Sequence, residues 1–159
     1  VTGIDFAPNN IKAAKIHSEK NKLKIKYFDI DIEKSTLDEK FDLILMFEVL
    51  EHLDNWKKTI KNIKKNLRKD GIIIFSTINR NLLSKLFAIN IAENFLHWIP
   101  KGTHDYNKLI KPEELKKILL KEKFYFKNIK GLVFDPLNME WKLSKNYMIN
   151  YFCTANLIN

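Results

Sequence analysis

Glu48, Glu51 and His52 stand at i, i+3 and i+4 in the stretch MFEVLEHLDN. If the chain turns helical there, all three side chains leave it on one side. Two carboxylates and an imidazole suit a hard divalent cation such as Mg2+. A cation so held lowers the pKa of a bound substrate oxygen and favours its nucleophilic form. His52 has a second use as a general base, because imidazole titrates near neutrality. The same spacing also describes an ordinary polar helix start. Asp5 closes the short segment VTGID. A carboxylate at a strand end accepts hydrogen bonds from both ribose hydroxyls of a nucleotide-like cofactor. It serves equally as a cap or turn residue for the segment that follows. His104 and Asp105, adjacent in IPKGTHD, offer either a base of raised pKa or a plain loop hydrogen bond.

These residues need elements to place them. Residues 1–5 read as a short buried strand, and 9–21 as a helix capped by Asn9 or Asn10 with Ile11, Ala13, Ala14 and His17 inward. Residues 24–30 alternate polar and apolar as a half-exposed strand does. Residues 33–40 form a polar connection. FDLILMF at 41–47 is an almost unbroken apolar run, which predicts a central parallel strand buried on both faces. Asp54 is placed to cap a helix reaching about Lys69, with Trp56, Ile60, Ile63 and Leu67 on one face. Asp70-Gly71 then ends it, before a strand at 72–77. Pro112 opens a further helix with Leu115, Ile118 and Leu119 inward. Residues 124–134 and 147–156 predict two strands joined by a loop, an antiparallel hairpin at a sheet edge. The alternation of strand and helix predicts a doubly wound α/β sheet, mostly parallel with an antiparallel C-terminal strand. In such a sheet ligands bind beyond the carboxyl ends of the strands. That rule selects Asp5, the residues from Phe47 onward and those from Ser76 onward.

Composition narrows the class. A chain of 159 residues predicts one domain, and 45% hydrophobic content supplies a packed core. The single Cys153 excludes an internal disulfide framework and fits a reducing, cytoplasmic compartment. The net charge of +9 raises nucleic acid or an anionic membrane as partners. The lysines are scattered through every segment, however, and only Arg68 and Arg80 among 28 basic residues are arginine. With no recognisable nucleic-acid module, the reading is no nucleic-acid partner. The chain opens on Val1 within what looks like a strand, which points to residues upstream.

Several motifs together carry a resemblance. FDLILMFEVLEHLDN is similar to the fourth-strand motif of class I S-adenosylmethionine-dependent methyltransferases. FSTINRN at 75–81, IPKGTHD at 99–105, IKPEEL at 110–115, GLVFDP at 131–136 and NYMINYF at 146–152 resemble, in order, the ubiquinone-biosynthesis O-methyltransferase family. The resemblance implies a Rossmann-like methyltransferase sheet and methyl transfer from S-adenosyl-L-methionine to a phenolic hydroxyl of a polyprenylated catechol-type ubiquinone precursor. It implies that Asp5 holds the cofactor ribose, that Phe47 and Met46 line the cofactor pocket, and that Glu48, Glu51 and His52 bind a divalent metal. Glu48 and His52 are then the candidate catalytic residues. Association with other quinone-biosynthesis enzymes is a further implication. The family's first strand and glycine-rich loop would lie upstream of VTGID. The expectation is therefore a single, N-terminally incomplete domain over 1–159 that binds the cofactor poorly by itself. A methyltransferase for another small molecule, or an inactive remnant that keeps membrane-surface binding, are the alternatives.

Residues 82–99 (LLSKLFAINIAENFLHWI) begin an amphipathic insertion over 82–108. Asn90, Glu93, Asn94 and His97 make one narrow polar stripe on a helical wheel. Either this helix is buried under the C-terminal strands, or it docks on an anionic membrane surface through 82–101, with Trp98 at headgroup level. The second reading adds peripheral placement on the inner membrane.

Overall fold

The computed structural model describes residues 1–86, 105–135 and 137–158. Most of the amphipathic segment read at 82–108, including Trp98 and His104, lies outside them. The chain divides into two compact units, 1–38 and 39–159.

The first unit holds strand β1 (Thr2–Asp5), helix α1 (Pro8–Lys20) and strand β2 (Lys26–Asp29). The two strands pair in parallel, from Thr2 opposite Lys26 to Asp5 opposite Asp29. Pro8 starts α1 because its fixed φ suits the first turn and its missing N–H is one the helix would leave unpaired. Neither Asn9 nor Asn10 is the cap. Ala7 occupies that position, and its N–H donates to Asp5 Oδ1 at 2.8 Å.

The second unit carries β3 (Phe41–Phe47), α2 (Trp56–Ile63), β4 (Leu67–Ile78), α3 (Leu82–Ser84), α4 (Pro112–Lys121), β5 (Phe124–Asp135), β6 (Glu140–Ser144) and β7 (Asn150–Leu157). Its sheet runs in the order β3-β4-β7-β5-β6. β3 and β4 are parallel, and β7 is antiparallel to both of its neighbours, β4 and β5. No described strand joins the two sheets by hydrogen bonding.

Four expectations change. β3 is an edge strand of this sheet, and Leu43, Leu45 and Phe47 are exposed along one face while Met46 is buried on the other. β7 enters the sheet between β4 and β5 instead of closing an edge hairpin with β5. Its alternating Tyr151, Cys153 and Ala155 are fully buried, which two flanking strands make possible. α2 is also shorter than its apolar stripe suggests. Asn55, not Asp54, caps it by accepting from Lys58 N, and a 3₁₀ turn at Lys64–Asn66 leads into β4. Asp70-Gly71 falls inside β4, where the register with β3 jumps from Phe41–Leu67 to Leu43–Ile72. The turn-forming pair therefore marks a bulge rather than a helix end.

The core of this unit forms where α2 and α4 meet the sheet. Ile60 and Ile63 of α2, Leu115 and Leu119 of α4, Ile73 and Phe75 of β4, and Phe124 of β5 are all buried. Each contributes about 1.5–3 kcal/mol by leaving water. Pro112 begins α4 as predicted, and Glu114 accepts from the Lys111 N–H at 3.2 Å, closing its first turn. Among the described residues no helix is long and apolar enough to cross a membrane.

Candidate functional site

The carboxyl ends of β3, β4 and β7 come together in one row. Phe47 pairs with Ser76, and Ser76 pairs with Phe152. Side chains in register point to the same face of a sheet. The small Ser76 between two phenylalanines lets their rings meet over it, edge to face, with centroids 5.4 Å apart. Around them lies a cavity of about 340 Å³. Phe47, Glu48, Ser76, Leu132, Trp141, Asn150, Tyr151 and Phe152 line it. Its walls are mostly apolar, with Glu48 and Ser76 as a polar corner.

Glu48 leaves β3 with φ at +50°, the left-handed region that a side-chain-bearing residue enters at a cost of about 1–3 kcal/mol. Three hydrogen bonds with Ser76 hold it there. The Glu48 N–H donates to Ser76 O and Oγ, each at 3.1 Å, and Ser76 Oγ donates to Glu48 Oε1 at 2.7 Å. Residues 50–52 then form a 3₁₀ turn instead of the α-turn assumed from spacing. The consequence is that Glu51 turns inward, 3% exposed, while His52 faces outward.

Glu51 is buried beside Glu48. Neither of its carboxyl oxygens has a hydrogen-bond partner, and the nearby Thr77 hydroxyl is also unpaired. Burial, and then the charge of Glu48, push the Glu51 carboxyl up to about 8. Both effects disfavour a second negative charge in a small apolar volume. Glu51 therefore keeps its proton at neutral pH.

The three-ligand metal arrangement over Glu48, Glu51 and His52 is not formed. Among the described residues no three His, Cys, Asp or Glu side chains converge on a cation position. The left-handed turn at Glu48 and the tight 3₁₀ turn break the one-sided stripe that an α-helix would make. The residues present fit a buried Glu51 that keeps its own proton rather than a ligand to a cation. His52 and Met46 do not line the cavity, whereas Phe47 and Glu48 do. Period-2 alternation along β3 sends Met46 into the core, opposite Phe47.

Asp5 ends β1 beside Asp29, the end of β2. Asp5 Oδ1 accepts from Ala7 N at 2.8 Å and Oδ2 from Asn10 Nδ2 at 3.0 Å. The carboxylate thus closes a turn ahead of α1, whose N-cap, Ala7, carries no side-chain cap bond. Each of its oxygens retains a second lone pair, so the half-buried group also fits a hydroxyl-bearing ligand.

Sequence reasoning missed Ser76 as the partner of Glu48, and it missed Leu132, Trp141 and Asn150. Only pairing register reveals them. The motif FSTINRN did signal its region. Asn79 N donates to Ile149 O at 2.8 Å, Asn79 Nδ2 donates to Tyr147 O at 3.2 Å, and Asn81 Nδ2 donates to Met148 O. These bonds fasten the segment that delivers Asn150 to the cavity. Asn150 Oδ1 in turn accepts from Leu132 N at 2.9 Å. Arg80 pairs with Glu114 of α4, so the motif also anchors that helix.

Comparison with known proteins gives these features a context. A family model described as a methyltransferase domain matches residues 1–130. The ubiquinone biosynthesis O-methyltransferase of Rickettsia typhi is 43% identical over 152 residues, covering 96% of this chain and 62% of that protein. That of Pelagibacter ubique is 42% identical over 151 residues, covering 95% and 63%. The chain thus spans less than two thirds of these relatives' length. A solved S-adenosylmethionine-dependent methyltransferase from Clostridium acetobutylicum superposes with a TM-score of 0.72 at 13% identity, over 99% of this chain and 75% of that one. N-methyltransferase NodS from Bradyrhizobium japonicum, solved with S-adenosyl-l-homocysteine, gives 0.66 at 19%, over 99% and 66%. At such identities the likeness establishes the fold, a Rossmann-like methyltransferase sheet.

Proposed function

We propose an O-methyl transfer for this chain, which belongs to the methyltransferase-domain family. The donor is S-adenosyl-L-methionine, and the acceptor is a phenolic hydroxyl of a polyprenylated, catechol-type ubiquinone precursor. Identity of about 40% with relatives named for ubiquinone biosynthesis, over nearly the whole chain, supports O-methylation in that pathway, and the acceptor class follows from the motif resemblance. The observation that carries the chemistry is Glu48, held by Ser76 on the wall of an otherwise apolar cavity.

When bound, the cofactor supplies a methyl group on a sulfonium, ready for in-line displacement. The chain's own residues do the rest. Asp5 accepts hydrogen bonds from the ribose hydroxyls, and Phe47 gives an apolar wall. Phe47 and Phe152 hold the substrate ring and exclude water. Glu48 accepts the phenolic proton as the oxygen attacks, with one carboxyl oxygen fixed by Ser76. Glu51, carrying its own proton, keeps a second negative charge away from the forming oxyanion. His52, exposed and outside the cavity lining, has no part in this scheme.

The test is transfer of a labelled methyl group to a polyprenylated catechol by the protein expressed from its native reading frame. The Glu48→Gln variant should lose roughly 10²-fold or more in kcat, the usual contribution of a positioned base. Undiminished turnover in that variant would overturn the role of Glu48. A substrate panel in which only unrelated small molecules accept methyl would overturn the substrate class. No transfer to any acceptor would favour the inactive remnant.

A further inference from the structure

The hairpin of β5 and β6 has two unlike faces. Residues directly opposite each other in the pairing are Leu132 with Leu143 and Phe134 with Trp141, alternating with Val133–Lys142 and Asp135–Glu140. One face therefore reads Leu132, Phe134, Trp141 and Leu143 without a polar side chain. The other carries Val133, Lys142, Asp135 and Glu140, where Lys142 Nζ bridges Asp135 at 2.7 Å. In a soluble hairpin the apolar face is the one that should be covered. Here it is largely open, with Phe134 42%, Trp141 62% and Leu143 69% exposed. Among the described strands, β6 is the last in its sheet and pairs with β5 alone.

That same face runs into the cavity. Leu132 and Trp141 line the wall of the cavity that also holds Glu48. The Trp141 ring stands 5.2 Å from that of Phe134 and continues the wall outward. A volume of 340 Å³ comfortably exceeds the roughly 150 Å³ that encloses one benzene ring, so it takes a substituted ring. It does not take a chain of several isoprene units as well. Such a chain must leave through the open side, and Trp141, both lining and exposed, marks that side.

We infer that the apolar face of the β5–β6 hairpin is the track for the substrate's linear isoprenoid tail, with Trp141 as the gatepost between ring and tail and with Phe134 and Leu143 as its outer contacts. This rests on the proposed methyl-transfer reading for the identity of the ring. It assigns recognition of the tail to residues that the reaction itself does not use. Apolar contact along the track gives discrimination by tail, because each methylene that leaves water adds to affinity, whereas the ring contributes equally with or without a tail.

The experiment compares two probes, catechol and a catechol bearing a three-isoprene tail, by calorimetric titration of the protein. The unmodified protein should bind the tailed probe at least about tenfold more tightly. Phe134→Ser and Leu143→Ser, at exposed positions, should collapse that preference to within about threefold, with melting temperatures unchanged. A preference that survives both substitutions, or none in the unmodified protein, overturns the track. So does a hairpin face engaged otherwise, seen as a dimer or as vesicle binding that Leu143→Ser abolishes while the tail preference stays intact. If the protein prefers the tailed probe but transfers methyl to neither, the reaction fails and the track stands.

Discussion

Replacing Glu51 by Gln isolates the cost of a buried carboxyl group. In the folded chain this group binds its proton up to about pH 8, whereas the unfolded chain releases it near the ordinary value of 4.5. Between those two values the folded state holds the extra proton. Stability from this site is therefore fully present below about 4.5 and is lost as pH rises through about 8. The slope is at most about 1.4 kcal/mol per pH unit, so the whole window is worth on the order of a few kcal/mol. Gln has nearly the same shape, stays neutral and offers an N–H to the Glu48 carboxyl. Urea unfolding followed by circular dichroism, from pH 4.5 to 9, reads the difference between parent and variant, and titrations elsewhere cancel in it. The two should agree within about 1 kcal/mol at pH 4.5. At pH 8.5 Glu51→Gln should be the more stable by a few kcal/mol. Parallel curves across the whole range would refute the reasoning about burial and the Glu48 charge.

Other consequences follow from neighbouring geometry. Ser76→Ala removes the hydrogen bond that fixes the Glu48 carboxyl, and should cost about 1–3 kcal/mol on urea unfolding. In kinetics it should lower kcat far more than it changes KM; the reverse split would mean that Ser76 only shapes the pocket. Gly131→Ala would set a Cβ 1.8 Å from the Asn146 carbonyl oxygen, a backbone atom in the segment leading to β7. A loss of about 1–3 kcal/mol should follow, and an unchanged thermal midpoint would contradict it. Burial pushes the Cys153 thiol up to about 12. At pH 8 a thiol reagent should therefore label the native chain slower than the denatured chain by orders of magnitude. Fast stoichiometric labelling without denaturant would show that β7 is not enclosed as described.

The parts legible in the sequence were those set by local pattern. The apolar run of β3, the Pro112 helix start and the strand at 72–77 follow from period and punctuation, and they appear where read. Pairing order was not legible. Nothing in the residues of β7 says that it enters between β4 and β5 rather than lying at an edge. That choice is made by two neighbouring strands far off in sequence. β6 was read as part of a loop although Trp141 and Leu143 alternate with polar neighbours after a turn at 137–139. Five residues are too few for period 2 to stand out among lysines and asparagines. At the site, the residue types at 48–52 were found but their directions were not. The helical stripe assumed an α-turn, while Glu48 takes a positive φ because Ser76, 28 residues on, supplies its partners. A long-range hydrogen bond of that kind leaves no local signature. Asp5 stands at its strand end as read, and of the local roles open to it the structure shows the turn residue, not a helix cap.

The central claim is that Glu48 takes a proton from a phenolic hydroxyl in the β3–β4–β7 cavity. It is tested most directly by measuring methyl transfer for parent and Glu48→Gln across catechols of graded acidity. If Glu48 is the base, the deficit of the variant should be roughly 10²-fold or more on an unactivated catechol. On a nitrocatechol, whose hydroxyl ionises without help, the deficit should shrink to within about tenfold. A deficit that stays constant along the series would contradict a proton-accepting role for Glu48.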